Sequence, residues 1–178
     1  MKEGVSYKDG GQYYDIIEKN IDDAVNASKE SDVIVLCLGE TSYTEKPGDI
    51  NDITLHKLQL KLASQLASSG KPIVLVLNQG RPRLITAIEK YMSAIVNIYL
   101  PGNYGGVALA DVLSGDVNPS GKLPFTYPAY TNSLSPYYYK PSEVQNNAQG
   151  AYNYVGEVNT LYDSVSYTHL SLPTILLV

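Results

Sequence analysis

The chain has 178 residues, of which 44% are hydrophobic and 17% charged, enough for a globular domain with a true core. A net charge of −5 excludes a general nucleic-acid binder, which needs a basic face for phosphates. No apolar run reaches the roughly 18 residues of a membrane span, and the one cysteine, Cys37, rules out an internal disulfide or a cysteine-rich metal cluster.

In chain order, Tyr13 to Glu30 predicts an amphipathic helix, with Ile16, Ile17, Ile21, Ala24 and Val25 at three- and four-residue steps. Val33 to Leu38 is an unbroken apolar run and reads as a parallel strand buried on both faces, with Cys37 as a small core residue. It ends at Gly39-Glu40. Leu55 to Ser69 predicts a second helix with Leu55, Leu58, Leu62 and Leu66 on one stripe, closed by a left-handed Gly70. A strand Ile73 to Leu77, a short helix Leu84 to Tyr91, a strand Ala94 to Tyr99 and a helix Gly105 to Leu113 follow. Beyond Gly115, proline, serine, asparagine and tyrosine argue for an extended wrapping segment, with a short strand over Lys122 to Thr126.

Alternating strands and helices predict a three-layer α/β sandwich, flavodoxin-like in outline, with a mostly parallel sheet and right-handed crossovers. Ligands gather at the carboxyl ends of such strands. Three glycine-bearing loops follow strands directly: Gly39-Glu40, Asn78-Gln79-Gly80-Arg81 and Pro101-Gly102-Asn103. One edge of the sheet should therefore hold the chemistry. A nucleotide-binding domain of similar outline is disfavoured, because no GxGxxG or P-loop lysine follows the first strand and GETSYTEKPGD offers acceptors where phosphates need donors. His56 and His169 lack metal-ligand spacing. Neither a metal nor another cofactor is expected.

Three strings, CLGETSYTEKPGD, GKPIVLVLNQGRPRLI and YLPGNYGGVALADVLSGDVNPSGKLPFTYP, occur in order. Together they resemble the C-terminal α/β-sandwich domain of glycoside hydrolase family 3, from about Ser31 to Tyr162 and nearest its bacterial β-glucosidase-like branch. The resemblance implies half of the active site of a retaining, exo-acting β-glycosidase that takes an oligosaccharide or β-glucoside. A separate N-terminal barrel would supply the nucleophilic aspartate and most of the sugar pocket, and this domain the acid/base glutamate. Gly39-Glu40 matches a Gly-Glu pair that carries this role in many members, so Glu40 is the first candidate and Glu45 the second. Two carboxyl groups are needed because one attacks the anomeric carbon while the other protonates the leaving oxygen and then activates water.

Further expectations follow from this resemblance. Nothing here matches the barrel, so the chain alone should not hydrolyse glycosides and its missing interface should promote self-association. Residues 1–162 form an incomplete family domain that begins mid-protein. Asp163 to Val178 departs from the family's ending and reads as a non-native tail, similar to translated sequencing-adapter DNA. Relatives of this type are often periplasmic or secreted. Asp49 would brace the acid/base loop, Arg81 would clamp an Asp or Glu at the domain interface, and Tyr137, Tyr138 and Tyr139 would line a glycan path or pack on the barrel. Leu55-His56 stands where members usually have Leu-Pro, which loses a rigid helix start. The competing function is a non-catalytic module that binds carbohydrate or docks domains.

Overall fold

In a computed structural model, the residues described are 6–8, 11–13, 18–131 and 160–162. Three parallel strands make the central sheet: β3 (Ile34–Gly39), β4 (Ile73–Asn78) and β5 (Ala94–Asn97), in the order β3-β4-β5. Gly39 pairs with Asn78, so β3 and β4 end level with each other. An antiparallel pair, β1 (Ser6–Lys8) and β2 (Gly11–Tyr13), precedes the sheet, and β6 (Tyr127–Pro128) pairs antiparallel with β7 (Thr160–Tyr162).

Side chains of a strand alternate between faces, and the two faces of this sheet are covered differently. Leu36, Leu38, Ile73, Leu75, Leu77 and Ile95 point into the larger core. There they meet Ala63 and Leu66 of α2 (Lys57–Ala67), Val25 of α1 (Glu18–Ser28), and Leu123, Phe125 and Tyr127 of the segment that wraps back after α3 (Gly105–Ser114). On the opposite face, Val76 and Val96 pack with Val74, Ile98 and α3's Leu109 and Val112. Helices on both sides of a parallel sheet give the expected α/β sandwich.

Several expectations need correction. β3 is not buried on both faces: α3 covers β4 and β5, and leaves Val35 48% exposed and Cys37 exposed beside it. Cys37 is thus a surface residue of an uncovered sheet face, not a core residue. Of the helix predicted over Tyr13 to Glu30, Glu18–Ser28 is helical and Tyr13 instead ends β2, while residues 14–17 lie outside the described residues. Leu84 to Tyr91 forms no α-helix. Leu84 bridges Thr54 in parallel, and only Glu89–Tyr91 makes a single 3-10 turn. The short strand of the wrapping segment is Tyr127–Pro128, one residue beyond Lys122 to Thr126.

Helix ends follow their local chemistry. His56 does not weaken the start of α2: its Nδ1 accepts from the Leu58 N–H at 3.3 Å and caps the first turn. The buried stripe of α2 is Gln59, Ala63 and Leu66.

Candidate functional site

The β3 and β4 ends are joined by an amide clamp and an ion cluster. Gln59, buried in α2, holds both backbone groups of Gly39: its Nε2 donates to the Gly39 carbonyl at 2.9 Å and its Oε1 accepts from the Gly39 N–H at 3.0 Å. Gly39 has φ +155°, and a Cβ there would lie 1.9 Å from the Asn78 carbonyl oxygen. Only glycine lets the chain leave the sheet this close to its neighbour. The Glu40 N–H then donates to that same Asn78 carbonyl at 3.0 Å, which turns the Glu40 side chain inward toward the β4 loop.

The Glu40 side chain is 2% exposed. Its Oε2 accepts from the Gly80 and Arg81 N–H groups, each at 3.1 Å. Its Oε1 accepts from Arg81 Nε at 2.9 Å, from Arg83 Nε at 2.9 Å and from Arg81 Nη2 at 2.8 Å. Both oxygens are therefore engaged by two guanidinium groups and two amides, the geometry of a charge-assisted structural anchor.

Arg81 does more than pair with Glu40. Its Nη1 donates to the Gly48 carbonyl, and its guanidinium lies 3.9 Å from the centre of the Tyr43 ring. Tyr43 in turn fills the space over Gly80, where a Cβ would meet its hydroxyl at 2.3 Å. Arg83 ties the following stretch, donating through Nη1 to the carbonyls of Asp52 at 2.9 Å and Thr54 at 3.3 Å. Behind them, the buried Tyr127 hydroxyl donates to the Arg83 carbonyl at 2.5 Å and accepts from Gln79 Nε2 at 2.9 Å. Burial drives that phenol well above its ordinary value near 10.

Between these anchors the loop 41–49 rises from the sheet edge. Glu45 stands on it, exposed, at φ 50° and ψ −144°, a backbone conformation costly for a non-glycine residue. Its carbonyl accepts from the Gly48 N–H at 2.9 Å. Its carboxyl makes no hydrogen bond or ion pair with the described residues. Glu40 and Glu45 thus occupy opposite situations: one is sealed at the root of the loop, the other open at its crest.

The remaining candidates separate in the same way. The structure brings Arg81 onto Glu40, an anchor inside the domain. Asp49 is exposed and its carboxyl braces nothing among the described residues. That task falls to Asp52, whose Oδ1 accepts from the Thr54 N–H at 2.8 Å. Hydrogen bonds from Thr54, side chain first and backbone second, hold the Asp52 carboxyl below its usual range. Asn103 and Tyr104 lie exposed before α3, beside an apolar cavity of about 320 Å³ lined by Val96, Ile98, Pro101 and Leu109. No group of three or more His, Cys, Asp or Glu that could hold a metal occurs among the described residues. His169, Tyr137, Tyr138, Tyr139 and Asp163 to Val178 lie outside the described residues. Sequence reasoning missed Gln59, Arg83 and Tyr127. For Arg83 the signal was the two-residue spacing in Gly80-Arg81-Pro82-Arg83, which lets both guanidinium groups reach one carboxylate.

Comparison with known proteins agrees with this architecture. Over 128 residues, 71% of this chain, the sequence is 44% identical to a lysosomal β-glucosidase of Dictyostelium discoideum, of which it covers 16%. Over 119 residues, 66% of this chain, it is 40% identical to a periplasmic β-glucosidase of Salmonella typhimurium, again covering 16%. The fold superposes on the crystal structure of β-glucosidase from Listeria innocua in complex with glucose, with a TM-score of 0.70 at 28% identity, over 85% of this chain and 22% of that one. The chain therefore spans less than a quarter of each of these proteins. Residues 3–166 match the model of the glycosyl hydrolase family 3 C-terminal domain, and the chain belongs to that family.

Proposed function

We propose that this domain supplies the general acid/base of a retaining, exo-acting β-glycosidase, and that the carboxyl responsible is Glu45, with Glu40 as the anchor beneath it. This reverses the order in which the two glutamates are read from sequence. The observation that carries the choice is the contrast in their surroundings. A group that hands a proton to a substrate needs an open oxygen within about 3 Å of the leaving atom. Glu40 has both oxygens occupied by Arg81, Arg83 and two amides behind a 2% exposed side chain. Glu45 has an exposed carboxyl with no partner among the described residues, on a backbone held in a strained conformation.

The relatives are β-glucosidases many times longer than this chain, which supports a division of the site between this domain and the rest of the protein. In that division a carboxylate of the barrel attacks the anomeric carbon of a β-glycoside. The bond to the leaving oxygen breaks as Glu45 gives that oxygen its proton. The resulting carboxylate then takes a proton from water as the water oxygen attacks the glycosyl-enzyme, releasing the sugar and restoring both groups. Alone, the domain has no nucleophile to offer and is inactive. A periplasmic or secreted setting accords with the periplasmic relative.

The test joins this chain to a family barrel and compares Glu45→Ala with Glu40→Ala on aryl β-glucosides. Loss of the acid/base group lowers kcat/KM by about 10²- to 10⁴-fold on poor leaving groups and far less on good ones, whose departure needs no proton. That pattern is expected of Glu45→Ala. The same pattern in Glu40→Ala, with Glu45→Ala at parental rate, would return the role to Glu40. Parental rates in both would leave a docking or carbohydrate-binding module.

A further inference from the structure

Arg81 contacts Glu40 at the root of the loop 41–49 and two residues within it, Tyr43 and Gly48. At the root it holds the Glu40 carboxylate through Nε, Nη2 and its backbone N–H. In the middle its guanidinium lies against the Tyr43 ring at 3.9 Å. At the far end Nη1 binds the Gly48 carbonyl, and the Gly48 N–H is bonded to the Glu45 carbonyl at 2.9 Å. One planar cation thus spans root, middle and end of a loop whose crest carries Glu45.

Geometry explains why arginine stands here. Its fork addresses a carboxylate and a carbonyl at once while its flat face stacks on an aromatic ring, and a lysine ammonium cannot do all three. Its side chain is 29% exposed, so the contacts sit at the rim of the sheet and not in the core. The φ of 50° at Glu45 is a conformation the chain would leave if the Gly48 end of the loop were released.

We propose that Arg81 is a positioning residue for Glu45, acting through Gly48 and Tyr43 to hold the carboxyl where a sugar's leaving oxygen will stand. This rests on the acid/base reading of Glu45. The test uses the joined two-domain enzyme with Arg81→Lys, which keeps the charge facing Glu40, and Tyr43→Leu, which removes the stack and leaves the ion pairs. Glu45→Gln serves as the internal control. A misplacement of about 1 Å costs on the order of 10²-fold, so both variants should lose roughly that in kcat on alkyl or poorly activated aryl glucosides. On a dinitrophenyl glucoside, whose departure needs no proton, they should keep the parental kcat/KM, which reports only the steps up to the glycosyl-enzyme.

Plain loss of folded enzyme would lower every substrate by the same factor, and that result overturns the proposal. Should Arg81→Lys fail to fold, Tyr43→Leu alone decides by the same criterion. If Glu45→Gln has the leaving-group signature while neither variant does, Arg81 is only a structural partner and the acid/base reading survives. If Glu45→Gln lacks the signature, both readings fall.

Discussion

Glu40 carries its weight as a counter-ion. Removing it leaves Arg81 and Arg83 facing each other with no carboxylate between them and two loop amides without an acceptor. Breaking a buried pair from one side costs about 3–5 kcal/mol, and the partial exposure of both arginines, 29% and 17%, puts this site at the lower end. Glu40→Ala should therefore lower Tm by roughly 6–12 °C in a calorimetric scan, whereas Glu45→Ala, which keeps the Cβ and so the backbone strain, should leave Tm unchanged. Equal Tm values for Glu40→Ala and the parent would mean that the cluster is not formed. The spacing of Gly39-Glu40 after a strand marks the loop in the sequence and puts Glu40 first, where we propose Glu45. The type of residue at positions 40 and 45 is the same, and the difference lies in arginines 41 and 43 residues away, contacts that no local pattern encodes.

At the level of elements, apolar runs and glycine stops place β3, β4, β5, α2 and α3 within a few residues, since period and punctuation are local properties. What stays hidden is which face each strand presents. An unbroken run such as Val33 to Leu38 suits burial on both sides, yet α3 reaches only across β4 and β5. Leu84 to Tyr91 has helical composition, but the parallel bridge to Thr54 takes Leu84 out of a helix. The wrapping segment is fixed to the β4 loop by the Tyr127 hydroxyl, which is buried and bonded to Gln79 and Arg83. Burial raises the folded phenol's value above that of the unfolded chain, so the folded state keeps a proton that the unfolded state loses first. Its contribution is complete below about pH 10 and is lost as pH climbs from there toward the folded value. Urea midpoints followed from pH 8 to 11 should fall more steeply for the parent than for Tyr127→Phe. Parallel curves would show that Tyr127 ionises as freely folded as unfolded.

For the whole molecule, the consequential feature is the sheet face that α3 leaves open. Val35 and Cys37 stand exposed on β3, in line with the covered Val74, Val76 and Val96 of its neighbours. Apolar sheet surface of this kind drives association when nothing covers it. In light scattering under reducing conditions, the chain should self-associate with rising concentration, and Val35→Lys with Cys37→Ser should reduce this without changing Tm by more than a few degrees. A concentration-independent monomer would mean the face is satisfied within the chain. In the proposed role, Glu45 would act only when the domain meets a sugar-bearing partner. The most direct measurement identifies the product formed by Glu45→Ala and Glu40→Ala in the joined enzyme, supplied with an activated β-glucoside and azide. Azide needs no general base, so it captures the glycosyl-enzyme only where the acid/base carboxyl is gone. The account predicts β-glycosyl azide from Glu45→Ala and free sugar alone from Glu40→Ala; azide product from Glu40→Ala and none from Glu45→Ala would contradict it.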